Sequence, residues 1–485
     1  MEWRRDGGER PFGGGISHPT DEYENDEHQV EWRKMRPGSA SELKSGISRQ
    51  DLSAAPPVDV RHKTRAAVLP LTLLFMVMAS MAMLGTVTHA WADPSGSTGL
   101  TNESTDQGVE GGTEQVTPVI ASVVSPGGTT AVKGSDGQYH VVYELQLTNA
   151  TGGSASVTSL TVRNATGDSI ITTITGEKMV KSESLRLFDR QAAPNTTVPA
   201  GAGRVMLVSL DFPTLADVPS GITNQLSVVA RDPLSSSEKA KKLSYKVADV
   251  PLTGQQPPVL SPPLEGSGWI ASDGCCNPAI SHLSAVVPIN NSLVAAERFA
   301  VDWIKVDADG RVVTGNPKKL ANWVGYGVDV KAVSAGVVAE VRDDLPDQVP
   351  GVRENLPLDA VPGNRVVENL GGGIYAVYAH LKPGSVHVKV GQPLAVGQTL
   401  GQLGNSGGSS APHLHFHLVL GTSVTSSNGF PYVLNSFQMV GQVNLSKYAE
   451  AVQGKARAFE PSGEPVEHQN ELPIGYTVVN FSSGS

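Results

Sequence analysis

Short runs in which apolar and polar residues alternate recur along the middle of the chain. In the run Val141-Val142-Tyr143-Glu144-Leu145-Gln146-Leu147 the alternation is nearly regular. Successive side chains of a strand point to opposite faces, so a period of two predicts strands with one buried face. Six such runs lie between residues 118 and 250: Tyr139–Leu147, Ser156–Val162, Ser169–Ile174, Arg204–Phe212, Asn224–Ala230 and Lys242–Val247. Short strands separated by turns such as Asn-Ala-Thr-Gly predict an immunoglobulin-like β-sandwich over 118–250.

The clearest alternation lies nearer the C-terminus, where residues 413 to 418 read His-Leu-His-Phe-His-Leu. A strand would place His413, His415 and His417 on one face and the three large apolar residues in a core. Neighbouring imidazoles would stand roughly 6.6 Å apart along that strand. The chain has only 12 histidines. Three of them on one strand face predict a site-bearing strand rather than an ordinary polar edge.

The N-terminal part predicts a membrane-targeting segment. Residues 1–65 have scattered charge and no apolar periodicity, which is typical of a disordered tail. The run 66–87 follows Arg61-His62-Lys63-Thr64-Arg65 and has no charged residue, so it is long enough to cross a bilayer as a helix with the rest of the chain outside. Ala90-Trp91-Ala92 has the form of a signal-peptidase site. Both interpretations of 66–92, an anchor and a cleaved signal, make the folded part extracytoplasmic, either membrane-attached or secreted.

Changes in amino-acid composition along the chain predict the remaining domain boundaries. Residues 93–117 form a spacer, 251–265 a Pro-rich linker, 266–445 a further β domain and 446–485 a C-terminal tail. With 52 Gly, 33 Pro and 5% aromatic residues, the chain is predicted to be all-β apart from the one N-terminal helix. Limited proteolysis would then release two β-rich fragments.

Charge and cysteine content limit the chemistry. The net charge of −10, with no compensating basic run, argues against a nucleic-acid partner. Asp307 and Asp309 lack the later acidic ligands of a calcium loop, and the Asp-Gly that follows is a stronger hairpin signal. The two cysteines are the neighbours Cys275 and Cys276. They can form only a vicinal disulfide with each other or remain as two free thiols.

Three segments carry a resemblance to a known family. Gly-Asn-Ser-Gly at 404–407, followed by Pro-His-Leu-His-Phe at 412–416, resembles the C-terminal signature of the lysostaphin-type (LytM) zinc metallopeptidases. Tyr378-Ala379-His380-Leu381 and the segment 391–398 stand upstream in the family's order. The resemblance covers about 322–420. It implies an antiparallel, barrel-like β fold (duplicated hybrid motif), a Zn²⁺ cofactor and hydrolysis of peptide cross-links in bacterial peptidoglycan.

The resemblance also implies roles for particular residues. Asp329 and His415 would bind zinc, while His380 and His413 would assist catalysis; His417 lies outside the motif. The family's first metal segment reads His-x-Gly-x-Asp, and here Gly325 stands at the position of its histidine.

Catalytic zinc normally has three protein ligands, whereas the pattern shows only two, Asp329 and His415, so the third is missing. His282 and Asn322 are the candidates for it, and restoring an imidazole at Gly325 is predicted to tighten zinc binding. Two hypotheses stay open: an extracytoplasmic zinc endopeptidase acting on peptidoglycan, and a degenerate module of the same fold that binds wall peptide or partner proteins. The oligomeric state has no sequence signal.

Overall fold

The computed structural model describes residues 114–231, 239–459 and 463–482. These residues belong to one compact unit, Thr113–Ser485. The predicted disordered tail, the membrane or signal segment at 66–92 and almost all of the predicted spacer lie outside the described residues. Neither helix in the described part of the chain has the length and apolarity needed to span a lipid bilayer.

The N-terminal half of the described chain consists of ten strands and one short helix. They are β1 (Val119–Val123), β2 (Val132–Lys133), β3 (Tyr139–Asn149), β4 (Ala155–Asn164), β5 (Ile170–Thr175), α1 (Gly176–Lys181), β6 (Leu185–Arg186), β7 (Thr197–Val198), β8 (Gly203–Phe212), β9 (Gly221–Ala230) and β10 (Lys241–Pro251). A single 3-10 turn, Leu215–Asp217, precedes β9. All six strands predicted from alternation in this region are present, with ends that shift by a few residues.

These strands form two antiparallel sheets. One has the order β1-β3-β8-β6 with β2 beside β3, and the other β10-β9-β4-β5 with β7 beside β4. Leu145 from the first sheet and Leu160 and Leu226 from the second share one fully buried core. The all-β prediction is therefore confirmed, while an immunoglobulin-like topology for this sandwich stays a prediction.

The C-terminal half carries sixteen strands and a second helix. They are β11 (Val259–Leu260), β12 (Gly266–Ser272), β13 (Val287–Ile289), β14 (Ser292–Val294), β15 (Val301–Lys305), β16 (Asp329–Lys331), β17 (Val337–Arg342), β18 (Asn364–Gly371), β19 (Ile374–Leu381), β20 (Thr399–Gln402), β21 (Leu414–Leu420), β22 (Asn428–Phe430), β23 (Val433–Leu434), β24 (Phe437–Gln442), α2 (Leu445–Ala451), β25 (Val466–His468) and β26 (Thr477–Phe481). Two 3-10 turns lie at Leu320–Asn322 and Leu358–Ala360.

A ten-stranded sheet organises this half, in the order β17-β18-β19-β21-β15-β12-β26-β24-β25 with β22 beside β21. The histidine strand β21 is thus central, paired with β19 on one side and β15 on the other. Phe416 of β21 is fully buried and packs edge-on against Tyr432. The predicted boundary at residue 445 is not an edge of this sheet, because β26 pairs with both β12 and β24.

The predicted linker 251–265 is also part of the packed structure. Leu252 bridges to Thr129, and β11 pairs in parallel with β23. A small apolar cluster joins the two halves elsewhere, with Val124 and Leu207 from the sandwich against Val286. The two halves therefore share buried surface.

Cys275 and Cys276 are joined to each other in a vicinal disulfide across a cis peptide bond. Of the two alternatives left open by the sequence, the structure has the disulfide.

Candidate metal centre

The candidate metal centre is built on the pairing of strands β15 and β21. In the antiparallel register of β15 and β21, Asp302 stands directly opposite His415. Residues opposite each other in such a pair project from the same face of the sheet. Asp302 Oδ1 accordingly lies 2.9 Å from His415 Nδ1 and 3.3 Å from His413 Nε2. Strand pairing alone therefore places a carboxylate among the histidines of β21.

His282 reaches the same carboxylate from the segment after the disulfide. Its Nε2 lies 3.4 Å from Asp302 Oδ1. His282, Asp302 and His415 each offer one donor atom, and these three atoms lie within 4.8 Å of one another. The carboxylate and two imidazoles are a ligand set that zinc accepts.

His380 joins the site because its strand departs from regular geometry. Three steps along β19, from Tyr378 to Leu381, face only two along β18, from Asn364 to Val366. His380 has a φ of 60°, a left-handed conformation that is uncommon for a residue other than glycine. Such a bulge re-aims a side chain. The His380 ring centroid comes within 4.8 Å of that of His413 and 5.8 Å of that of His415.

Hydrogen bonds to backbone carbonyls fix the tautomers of three imidazoles. Nδ1 of His282 lies 3.0 Å from Asp273 O and 3.1 Å from Ala300 O. Nδ1 of His380 lies 2.7 Å from Ser406 O, and Nδ1 of His413 lies 2.7 Å from Ala411 O. A carbonyl only accepts, so Nδ1 donates in each case and Nε2 is left with its lone pair when the ring is neutral.

His415 is held at both ring nitrogens. Its Nδ1 lies 2.9 Å from Asp302 Oδ1, and its Nε2 lies 2.9 Å from Nδ1 of His417. A carboxylate only accepts, so Nδ1 of His415 donates to Asp302, and a metal bound at this nitrogen would replace that proton. His417 is buried and acts as a positioning residue for His415.

The pKa values of the groups in the centre are set by burial and by the charges of their neighbours. Burial lowers the pKa of His282, but the Asp302 carboxylate outweighs it and raises that pKa to about 10. Burial raises the pKa of Asp302, whereas His413 and His282 hold it well below its usual range. Burial also lowers the pKa of His413, which Asp302 raises above its ordinary value. The ionised carboxylate thus attracts cations, and a metal ion would compete with these protons.

The pKa of His380 shifts in the opposite direction to those of His282 and His413. Burial, with the charges of His413 and His415, holds the pKa of His380 well below its ordinary value. His380 is therefore neutral at physiological pH, with Nε2 free to accept a proton or a hydrogen bond.

The structure places the other predicted metal residues elsewhere. Asp329 is not among the donor groups that cluster with His415 in the described chain; its carboxylate lies 3.4 Å from Thr399 Oγ1 and 3.6 Å from Lys331 Nζ, and it is half exposed. The Asn322 amide donates to Asn316 O at 2.9 Å. A Cβ added at Gly325 would meet Lys305 Cβ at 3.2 Å and Leu403 Cδ1 at 3.6 Å.

Sequence reasoning missed Asp302. The signal available was an acidic residue inside the otherwise apolar run Val301-Asp302-Trp303-Ile304. A charge at such a position is costly unless it is paired or binds a metal. His282 was a candidate, and the structure brings it to the site.

Comparison with known proteins identifies the domain. Residues 323–426 match Peptidase family M23, so the chain contains an M23 domain of the lysostaphin (LytM) type. The resemblance predicted from the sequence is confirmed. His282 and Asp302 both lie upstream of the matched residues. A comparison of the sequence with curated proteins finds no significant match.

Several solved structures share parts of this fold. The catalytic domain of the antimicrobial peptidase lysostaphin from Staphylococcus simulans is 23% identical over 30% of this chain and 80% of its own, with a TM-score of 0.18. A putative peptidase M23 from Pseudomonas aeruginosa is 13% identical over 57% and 92%, with a TM-score of 0.21. A zinc-containing peptidase from Vibrio cholerae is 14% identical over 45% and 84%, with a TM-score of 0.17.

Proposed function

We propose that the protein is an extracytoplasmic zinc metalloendopeptidase that hydrolyses the peptide cross-links of peptidoglycan. The observation that carries this proposal is the group formed by His282, Asp302 and His415, whose donor atoms lie within 4.8 Å of one another beside His380 and His413. Three protein ligands with a further position open to substrate are typical of catalytic zinc. The M23 match supports a peptidase-type hydrolase.

The donor set fits zinc because it combines a carboxylate with two imidazoles that are each oriented by a second partner. His282 would bind through Nε2, Asp302 through Oδ1 and His415 through Nδ1, while the opposite nitrogens of both imidazoles are used in hydrogen bonds. Bound zinc supplies a Lewis acid that polarises the scissile carbonyl and makes water more acidic.

The residues beside the ligands would handle protons and charge. His380 is neutral and its Nδ1 donates to Ser406 O, so its Nε2 lone pair is left to accept a hydrogen bond from the attacking water. His413, whose pKa is raised by Asp302, can donate from Nε2 to the oxygen on which negative charge develops or to the departing amine.

The competing hypothesis, a degenerate binding module, depended on a missing third ligand. The proximity of Asp302 and His282 to His415 supports the endopeptidase over this alternative.

Zinc content and hydrolysis test the proposal together. The full chain would be purified without added metal, assayed for bound zinc by elemental analysis, and incubated with purified peptidoglycan. We expect about one zinc per chain and release of soluble peptides. Asp302→Asn should lose both, whereas Asp329→Asn, the matched carboxylate change outside the centre, should retain both. Retention of zinc and activity by Asp302→Asn, or loss of both in Asp329→Asn, would contradict the proposed centre.

A further inference from the structure

One turn of the sandwich lines the same cavity as the metal centre. Residues 187–191 follow β6, and backbone bonds close the turn: Leu187 N donates to Gln191 O and Arg190 N to Leu187 O. The side chain of Asp189 accepts from Gln191 N at 3.1 Å. The turn therefore has an internally fixed shape.

A buried arginine holds this turn against the segment that supplies His282. Arg186, at the base of the turn, donates from Nη2 to Pro278 O at 2.8 Å. Pro278 stands between the disulfide and His282 in the sequence. The position of the turn relative to the metal centre is thus fixed by a direct hydrogen bond between the two halves of the structure.

The turn and the metal centre line the same cavity, whose volume is about 1020 Å³. Phe188, Asp189 and Arg190 form part of its wall, while Asp302 and the site histidines form another part. The Phe188 ring lies against Gly203 and is 44% exposed. A cavity of this size accommodates several residues of a peptide.

Three of the side chains around this cavity are exposed cations. Arg190, Lys318 and Arg353 line it as exposed cations, and none has a carboxylate within ion-pair distance among the described residues. Carboxylates line other parts of the cavity: Asp189 accepts from Gln191 N, Asp302 stands among the imidazoles, and Asp273 accepts from Ser281 Oγ at 2.9 Å. Glu297 is the remaining carboxylate of the lining.

We propose that Arg190, with the exposed ring of Phe188 beside it, forms a substrate subsite contributed by the β-sandwich, which binds a carboxylate of the wall peptide. This inference rests on the proposed function, because it assigns the sandwich a part in the same cleft. A guanidinium presents paired N–H donors that match a carboxylate in two-point geometry. Peptides offer such groups at their C-termini and acidic side chains. The ring provides a rigid apolar surface beside the charge.

The experiment compares binding of two forms of peptidoglycan, native and with its carboxyl groups converted to amides. Co-sedimentation would be measured for the full chain with His413→Ala, which keeps the proposed ligands but prevents hydrolysis of the probe. Adding Arg190→Gln should weaken binding to native peptidoglycan roughly tenfold, as expected for loss of one charge-assisted contact. The same change should leave binding to the amidated form unaltered. Gln keeps a side chain at this position, where φ is 70°, so the turn is not relaxed as it would be by Gly.

Lys242→Gln is the matched control, because it removes an exposed cation of the sandwich that does not line the cavity. It should bind both forms as the parent does. Equal binding by the parent and Arg190→Gln on native peptidoglycan would overturn the subsite and leave the proposed function intact. No binding by the parent, together with no hydrolysis by the wild type, would overturn both. A loss with Lys242→Gln equal to that with Arg190→Gln would also overturn the subsite, since it would show attraction by net charge alone.

Discussion

Arg298 and Glu144 form a buried ion pair across the junction between the sandwich and the sheet that carries the metal centre. Arg298 Nε donates to Glu144 Oε1 at 2.8 Å, and Nη2 donates to the other carboxylate oxygen and to Ser125 Oγ. Arg298 is 3% exposed and Glu144 not at all. Two residues after Arg298, the carbonyl oxygen of Ala300 accepts a hydrogen bond from His282 Nδ1, and Asp302 follows in β15. The ion pair therefore anchors the segment that carries Asp302 and orients His282.

Glu144→Ala should destabilise the protein by about 3–5 kcal/mol, because it leaves the Arg298 guanidinium buried without its counter-charge. Urea unfolding followed by circular dichroism measures the free energy. The double change Glu144→Met and Arg298→Met removes both charges and should cost less than Glu144→Ala alone. A loss under 1 kcal/mol for Glu144→Ala would show that the pair does not hold the junction.

The same junction changes the expectation for limited proteolysis. The sequence pattern predicts two separable β-rich fragments, but the buried pair and the shared apolar cluster join them. We expect digestion to leave the sandwich and the M23 half associated, so that they co-elute on size-exclusion chromatography even after a cut between them. Separation of the fragments without denaturant would contradict this expectation.

The source of the third ligand can be tested by substitution. His282→Ala should lower zinc affinity by at least about 10- to 100-fold, since changing even an outer partner of a zinc ligand commonly costs that much. Asn322→Ala, the other sequence candidate, should leave affinity unchanged, because its amide is bonded to Asn316 O outside the centre. Competition with a chromophoric chelator provides the measurement, and the reverse ranking would refute the assignment.

The substitution Gly325→His tests whether residue 325 is the position of the missing zinc ligand, as the family pattern predicts. The pattern alone predicts tighter zinc binding, whereas the geometry predicts no gain. A Cβ there points toward Lys305 and Leu403 rather than toward Asp302. Chelator competition on this variant beside the wild type would decide the matter, and a clear rise in affinity would restore the pattern-based interpretation.

The two faces of β21 should respond differently to truncation. Phe416→Ala removes a fully buried ring from the core and should cost about 3–5 kcal/mol. His413→Ala should cost clearly less, since its imidazole lines the cavity and Asp302 keeps His282 and His415 as partners. Both would be measured with a chelator present, so that lost metal binding does not add to the result. Equal destabilisation would mean that His413 is a core residue.

His140 should make the stability of the sandwich depend on pH. Burial lowers the pKa of His140, but hydrogen bonds to Asp211 at 2.8 Å and Asp136 at 3.0 Å raise it above 6.5 overall. The folded protein therefore binds the proton more tightly than the unfolded chain, whose histidine pKa is about 6.5. This contribution is complete below about pH 6.5 and is lost as the pH rises through the folded pKa.

Comparing wild type with His140→Gln isolates this effect from other titrating groups. The difference in unfolding free energy between the two should be larger at about pH 6 than at about pH 9. A difference that stays constant with pH would show that His140 does not change protonation on folding.

Local sequence patterns are sufficient to predict the strands and the family signature of this protein. Alternation marked the strands, because a strand's side-chain period is set by the backbone and needs no partner. It also placed His413 and His415 on one face, and the Gly-Asn-Ser-Gly and His-Leu-His segments identified the M23 domain. These signals are contained within a few neighbouring residues.

The residues that complete the centre come together through contacts between distant segments of the chain. Asp302 meets His415 across 113 residues of sequence, because β15 and β21 pair in one particular register. Strand pairing of this kind depends on the packing of the whole sheet, which one sequence does not display. The bulge that turns His380 into the site, and the contact that brings Arg190 to the cavity, likewise arise between distant segments. Asp329 illustrates the converse: its local pattern resembles that of a ligand, yet the fold places it beside Lys331 and Thr399, outside the centre.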